Sequence, residues 1–331
     1  MSAISSAEER AMSGAARLLD AALEATLLGY TSLGYRIRRR TWRREPLPSM
    51  SGRVVLITGG SSGIGRAAAE GFARLGASLI LLSRDPRRGR EAREAIAAAS
   101  GSAAVAFEPC DLSDLAAVRA FAKRFCARGS RLDVLINNAA LLSERRQLSR
   151  QGIELTLATN VLGPFLLSSL LRGPLEQSAP ARLITVSSGG MYTQRLALDD
   201  LQCERERFNG ARAYAHSKRI GVILSELWAE RLAGSGVVAH AMHPGWVDTP
   251  GLAASLPRFR GLLRPLLRSP RQGADTLLWL GAAAAPGSSS GGFWHDRRRR
   301  PTHRFRWTQE SEQEREQLWQ ECERLCGLVR R

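Results

Sequence analysis

The chain has 331 residues, 44% hydrophobic and 24% charged, which is the balance of an ordinary soluble globular protein and enough length for one large α/β domain or two smaller ones. The charge is not ordinary: 48 Lys and Arg stand against 31 Asp and Glu, a formal net charge of +17. Such an excess fits nucleic acid, an anionic membrane surface or an acidic ligand, or simply an arginine-rich surface, but no helix-turn-helix, zinc or RNA-sheet motif accompanies it, so no nucleic-acid partner is expected.

From the N-terminus, residues 15–35, "AARLLDAALEATLLGYTSLGY", place leucines 18, 19, 23, 27 and 28 at helical spacing. Arg17, Asp20 and Glu24 interrupt the stretch, which excludes a membrane-spanning helix, and no secretory signal precedes it. It reads as an amphipathic helix. "RIRRRTWRRE" (36–45) follows with six arginines, so helix and basic run together could lie on an anionic membrane or dock on the protein's own surface. "PLPSM" (46–50) reads as a linker, which makes residues 1–50 an N-terminal segment.

From residue 51 the pattern alternates. Short β-branched runs at 53–60, 77–83, 104–111, 134–140, 182–188 and 236–245 predict buried strands, and "GGFW" (291–294) a last short one. Helical periodicity covers 63–76, 87–100, 114–128, 151–171 and 210–233. This alternation predicts one α/β domain over 51–295, with a parallel sheet covered on both faces. Residues 296–331 read as a basic stretch and a helical tail. Five cysteines without repeated spacing are expected to be reduced thiols of an intracellular, cytoplasmic protein, and no metal site is expected.

Ligands of such sheets lie outside the carboxyl ends of the strands. "TGGSSGIG" (58–65) falls at the turn from the first strand to the first helix. Gly59, Gly63 and Gly65 let the backbone turn tightly and approach a pyrophosphate, and the helix N-terminus beyond favours an anion. The second strand ends at Ser83 and Arg84, where an NAD-preferring site would carry an acidic residue. Arg84 suits a 2′-phosphate, which points to NADP(H) rather than NAD(H), although it is also the kind of residue found on any basic surface.

"YAHSK" (214–218) holds one of only two lysines in the chain, the other being Lys123. Tyr214 and Lys218 share a helix face. A tyrosine with its ordinary pKa near 10 is a poor base at neutral pH, and a cation about 4 Å away supplies roughly the 4 kcal/mol needed to lower it by about 3 units. A compact ammonium fits beneath a phenol where a planar guanidinium does not. Taken alone, the pair could equally be an exposed Tyr–Lys neighbour.

It does not stand alone. "TGGSSGIG", "CDL", "NNAA", "TN", "VSS", "YAHSK" and "HPG" occur in that order on successive elements. Together, over roughly residues 52–295, they resemble the short-chain dehydrogenase/reductase family. The resemblance implies a Rossmann-type domain with a seven-stranded parallel sheet in the order 3-2-1-4-5-6-7. It implies that Tyr214 is the general acid or base of carbonyl–alcohol interconversion, that Lys218 lowers its pKa and holds the nicotinamide ribose, that Ser188 bonds the substrate oxygen, and that Asn160 holds a relay water. Thr58, Gly59, Ser61, Ser62, Gly63, Ile64 and Gly65 would form the phosphate turn. Asp111 and Leu112 would contact the adenine, Asn138 the adjoining ribose, and Pro244, Gly245 and Thr249 the nicotinamide side. The family usually has glycine where Ala140 stands. The 26 positions from Ser188 to Tyr214 resemble the retinol-dehydrogenase-like branch. Members of the family often pair through the helices that hold the tyrosine and the asparagine, while this branch includes membrane-associated monomers, so a homodimer and a monomer both stay open.

The substrate lid is expected at 252–272, where leucines 262, 263, 266 and 267 oppose arginines 260, 264 and 268, and Pro265 precludes a single long helix. An apolar lid fits a lipophilic carbonyl or alcohol, and its basic rim offers a second route to peripheral membrane contact. Two other readings compete with the oxidoreductase: a dinucleotide-binding scaffold without catalysis and, on net charge alone, a nucleic-acid-binding protein.

Overall fold

The computed structural model describes residues 14–42 and 45–329. Arg43 and Arg44 of the basic run, residues 1–13 and the last two arginines lie outside the described residues. The N-terminal segment is not one helix. It forms α1 (Gly14–Glu24), a 3-10 turn (Leu27–Tyr30) and α2 (Ser32–Arg39). A Cβ at Gly29 would lie 2.4 Å from the Leu23 carbonyl oxygen and 3.1 Å from an Arg38 nitrogen, so the chain folds back where only glycine fits. The Thr31 side chain then caps α2 by accepting from the Gly34 N–H.

The strands are β1 (Val54–Thr58), β2 (Ser78–Ser83), β3 (Val105–Pro109), β4 (Val134–Asn137), β5 (Ala181–Val186), β6 (Val237–Met242), β7 (Gly292–His295) and β8 (Arg298–Arg300). They form one sheet in the order 3-2-1-4-5-6-7-8. The first seven run parallel in the expected order, and β8 adds an antiparallel edge. The boundary expected after residue 295 therefore falls between two strands of one sheet. Its turn uses Asp296 and Arg297 at φ of 52° and 58°, so no glycine announces the hairpin in the sequence.

Helices α3 (Gly63–Arg74), α4 (Pro86–Ser100), α5 (Leu115–Ala127), α6 (Leu155–Leu157), α7 (Gly163–Leu170), α8 (Arg172–Gln177), α9 (Gly210–Arg231), α10 (Pro250–Ser255), α11 (Pro257–Leu263), α12 (Pro270–Ala282) and α13 (Glu312–Cys326) complete the chain. A π turn, Ala158–Leu162, joins α6 to α7. One apolar layer packs α3 and α12 on the sheet through Phe72, Ala69, Leu277 and Leu280; the other packs α5, α7 and α9 through Phe121, Phe165, Leu166 and Ile223. The strands, buried from both sides, read as continuous apolar runs for this reason. The helical tail adds to the second layer. Trp319 of α13 meets Phe165 of α7 at 4.8 Å and Trp228 of α9 at 4.9 Å, and Leu318, Cys322 and Cys326 are buried beside them.

Candidate active site

The loops at the carboxyl ends of β1, β2, β4, β5 and β6 carry the motifs. Gly59 and Gly63 have φ of +66° and +54°, and a Cβ at Gly65 would stand 2.4 Å from the Gly59 oxygen and 2.5 Å from Asn138 Nδ2. Asn138 is what keeps this turn closed, with Nδ2 donating to the carbonyls of Thr58 at 2.8 Å and Gly59 at 3.3 Å. Thr58 is fully buried. Its hydroxyl bonds Ile136 O and accepts from the N–H groups of Asn138 and Ala139, so it ties β1 to β4. Ser62 stands at the N-cap of α3 but makes no side-chain cap bond. The first amides of α3, from Gly63, Ile64 and Gly65, thus lack a side-chain partner and form a cradle that suits an anion.

Ser61 Oγ lies 3.0 Å from Ser83 Oγ, which brings the end of β2 against the glycine turn. Arg84 follows, exposed and with no ion pair among the described residues. Asp111 accepts from the Ser113 N–H and hydroxyl, while Leu112 is buried in the core, with its carbonyl against Gly163. Pro244 O accepts from Arg268 at 3.1 Å, and Gly245 has φ +77°. Thr249 caps α10, and a Cβ at Gly63 would lie 3.1 Å from its methyl.

The catalytic candidates converge across β5 and α9. Asn160 lies in the π turn. Its amide both accepts from and donates to the backbone of Leu141 and donates to Ser217 Oγ at 2.9 Å, so its side chain braces the loop after β4. Ser188 begins the turn after β5, near enough to the Tyr214 phenol to act on its pKa. Lys218 Nζ is buried, 5.5 Å from the Tyr214 ring centre, with one hydrogen bond, to Val186 O at 2.8 Å. The tyrosine does not move in the direction the pair alone predicts. Burial pushes it up to about 12, against Ser188, which pulls it down. Lys218 is itself pushed down to about 8 by burial. Withdrawal from water dominates both shifts, and each group is moved towards its neutral form.

Sequence motifs did not reveal a second set of residues at the same end of the sheet. Tyr30 packs on His243 at 5.0 Å, on Trp246 at 5.7 Å and on His295 at 5.5 Å. His243, just past the end of β6, is fully enclosed there and stacks on His295 at 3.8 Å. Arg38, from the basic run 36–45, is 1% exposed and pairs with Asp20, Glu24 and Asp296. The local pattern around residue 30 carries no signal of contacts more than 200 positions away. No cluster of three or more potential metal ligands occurs among the described residues.

A glycine turn between the first strand and first helix of a parallel α/β sheet, in a chain that matches a dehydrogenase pattern, marks an NAD(P)-dependent oxidoreductase of the carbonyl–alcohol class. The sequence pattern described as short chain dehydrogenase matches residues 53–258, and the chain belongs to that family. It is 42% identical over 276 residues to dehydrogenase/reductase SDR family member 12 of Bos taurus, covering 83% of this chain and 86% of that one. It is 37% identical to retinol dehydrogenase 12 of Bos taurus over 247 residues, 74% and 78% of the two chains. Among solved structures, an uncharacterised protein from Mycobacterium Paratuberculosis superposes with a TM-score of 0.68 at 30% identity over 86% of this chain and 97% of that one. A Beutenbergia cavernae protein with bound NADP does so with a TM-score of 0.62 at 27% identity, over 75% and 96%.

Proposed function

We propose that the protein is an NADP(H)-dependent oxidoreductase of a lipophilic carbonyl or alcohol, with Tyr214 as general acid or base. The observation that carries this reading is the convergence of Ser188, Tyr214 and buried Lys218 at the same end of the sheet as an uncapped glycine turn. The cradle fits a dinucleotide: a Cβ at Gly65 would collide with the Gly59 carbonyl and Asn138, so only glycine keeps the turn closed, and Ser62 makes no side-chain cap bond to its amides. A bound nicotinamide would supply or accept the hydride. Ser188 orients the substrate oxygen, and the Tyr214 hydroxyl, kept protonated by its surroundings, gives its proton to that oxygen as it gains charge. Lys218 stabilises the phenolate left behind; in the reverse direction the phenolate takes the alcohol proton. Arg84, exposed at the end of β2 and without an ion pair among the described residues, supports a preference for the 2′-phosphate.

The lid supports a lipophilic substrate. Phe259 of α11 packs edge-on against Trp246 at 5.3 Å, and Leu262 is 82% exposed. With exposed Leu18, Leu19, Leu27, Leu28 and Leu33 and the exposed arginines 36, 39, 40, 258 and 264, it supports peripheral contact with an anionic membrane. No helix among the described residues is long and apolar enough to cross one. Coverage of α7 and α9 by α13 supports a monomer, since that face is the one the family often uses for pairing.

The test is a titration with NADPH and NADH, followed by nicotinamide fluorescence, with wild type and Arg84→Ala, then NADPH oxidation with lipophilic aldehydes and ketones by wild type and Tyr214→Phe. Tighter NADPH binding that Arg84→Ala erases, and turnover that Tyr214→Phe abolishes, is the expected result. Equal affinities refute the cofactor preference, and full activity of Tyr214→Phe refutes the assigned acid.

A further inference from the structure

The residues outside the family match meet at the catalytic end of the sheet. The turn Gly29–Thr31 from the N-terminal segment inserts there. A Cβ at Gly189, the residue after Ser188, would lie 2.6 Å from Tyr30 Cε1, so the tyrosine ring rests directly on the turn that presents Ser188. The other side of the ring region is Trp246, whose N–H donates to Tyr30 O at 2.8 Å. One side chain thus touches both the serine turn and the loop that leads into the lid.

The insertion is fastened from two other parts of the chain. Arg268 donates to the carbonyls of Gly29 at 2.7 Å, Tyr30 at 3.1 Å, Thr31 at 3.2 Å and Pro244 at 3.1 Å. Its guanidinium also grips Asp296 through both nitrogens, at 2.6 and 2.8 Å. Arg38 closes the ring by reaching Asp296 at 3.0 Å and Gly29 O at 3.2 Å. Asp296 and Arg297 hold left-handed backbone that non-glycine residues rarely adopt, which persists only where surrounding contacts impose it. All three charged side chains are about 1% exposed.

We infer that Tyr30 is a positioning residue of the active site: clamped through Arg38, Asp296 and Arg268, it sets the Ser188 turn against the Trp246 loop, and the substrate side of the site is incomplete without the N-terminal segment. The inference rests on the oxidoreductase reading. It concerns the substrate end alone, because the glycine turn makes no contact with Tyr30 among the described residues. The ring does the positioning, so phenylalanine serves in its place.

The experiment compares full-length wild type, Tyr30→Phe and Tyr30→Ala in three measurements: NADPH titration, steady-state reduction of decanal, and hydrogen exchange at residues 189–193, 245–248 and 59–65. Tyr30→Phe is expected within twofold of wild type throughout. Tyr30→Ala is expected to lose at least tenfold in kcat/KM, mainly through kcat, and to exchange at least tenfold faster at 189–193 and 245–248, with NADPH affinity and exchange at 59–65 unchanged. Tyr30→Ala with kcat/KM within twofold of wild type overturns the inference. So does loosening that extends to 59–65 with weakened NADPH binding, which is general destabilisation. If wild type binds NADPH but does not reduce decanal, the exchange data decide: unchanged protection at 189–193 overturns the positioning role, and selective loosening upholds it, whatever becomes of the substrate reading.

Discussion

Replacing Lys218 by methionine should stabilise the protein while ending its nucleotide chemistry. The lysine is 5% exposed and has a single hydrogen bond, so its charge is poorly compensated. Its fall from 10.5 to about 8 on folding corresponds to about 3 kcal/mol held against the native state. Methionine has nearly the same length and no charge. The lost bond to Val186 O returns about 1 kcal/mol of that, leaving a net gain of about 2 kcal/mol at pH 7. The pH dependence follows from the sign. Below pH 8 lysine is protonated in both states and the penalty is complete. As pH rises from 8 towards 10.5 the folded state has already released the proton that the unfolded state still binds, so wild type regains stability. Urea unfolding at pH 7 and pH 9.5 reads this directly. The variant should have the higher midpoint at pH 7, with an unchanged m value, and most of the difference should vanish by pH 9.5. A variant less stable than wild type at pH 7, or a gain that does not change with pH, refutes the reasoning. A residue that weakens the fold where it stands is the signature of a functional position.

Three further outcomes are expected. Gly65→Ala forces a methyl within 2.5 Å of the Gly59 oxygen and Asn138 Nδ2, so the turn must open and NADPH affinity should fall at least tenfold by fluorescence titration. Asp296→Ala leaves Arg268 a buried cation with no carboxylate, held by carbonyls and the His295 ring, and should cost about 3–5 kcal/mol by urea unfolding. Burial acts to raise the Asp296 carboxyl, but His295, Arg268 and Arg38 outweigh it and hold it well below the usual range; its contribution is therefore complete above about pH 4 and shrinks as pH falls below that, which unfolding between pH 6 and pH 3 checks. Trp319→Ala should cost about 3–5 kcal/mol and uncover Phe165 and Trp228, while wild type should sediment as a monomer; a wild-type dimer through α7 and α9 contradicts the role given to α13.

The site was legible where chemistry is local in sequence. The strand-turn-helix around Gly59, Gly63 and Gly65 is a short-range backbone requirement, and Tyr214 and Lys218 share a helix face through spacing alone. Electrostatics were not legible. The spacing of Tyr214 and Lys218 suggested a lowered phenol pKa, and the opposite shift arises from burial, which a list of neighbours along the chain does not contain. Asn160 and Thr58 were identified as functional positions, but their present bonds shape the loops instead of pointing outward.

By itself the sequence determined the alternation of strand and helix, the glycine turn and the helix face shared by Tyr214 and Lys218, because each rests on periodicity or on contacts within a few residues, while the order of the parallel sheet followed from the family resemblance. Only the tertiary structure decided the fate of the arginines and of the two ends of the chain. Arg38 and Arg268 look like any others in a chain of net charge +17, yet they are enclosed around Asp296, while Arg84 at the end of β2 is exposed. The β8 hairpin, the α13 cover and the seat of Tyr30 depend on side chains brought together from distant positions, where burial and charge pairing set the outcome and local propensity says nothing.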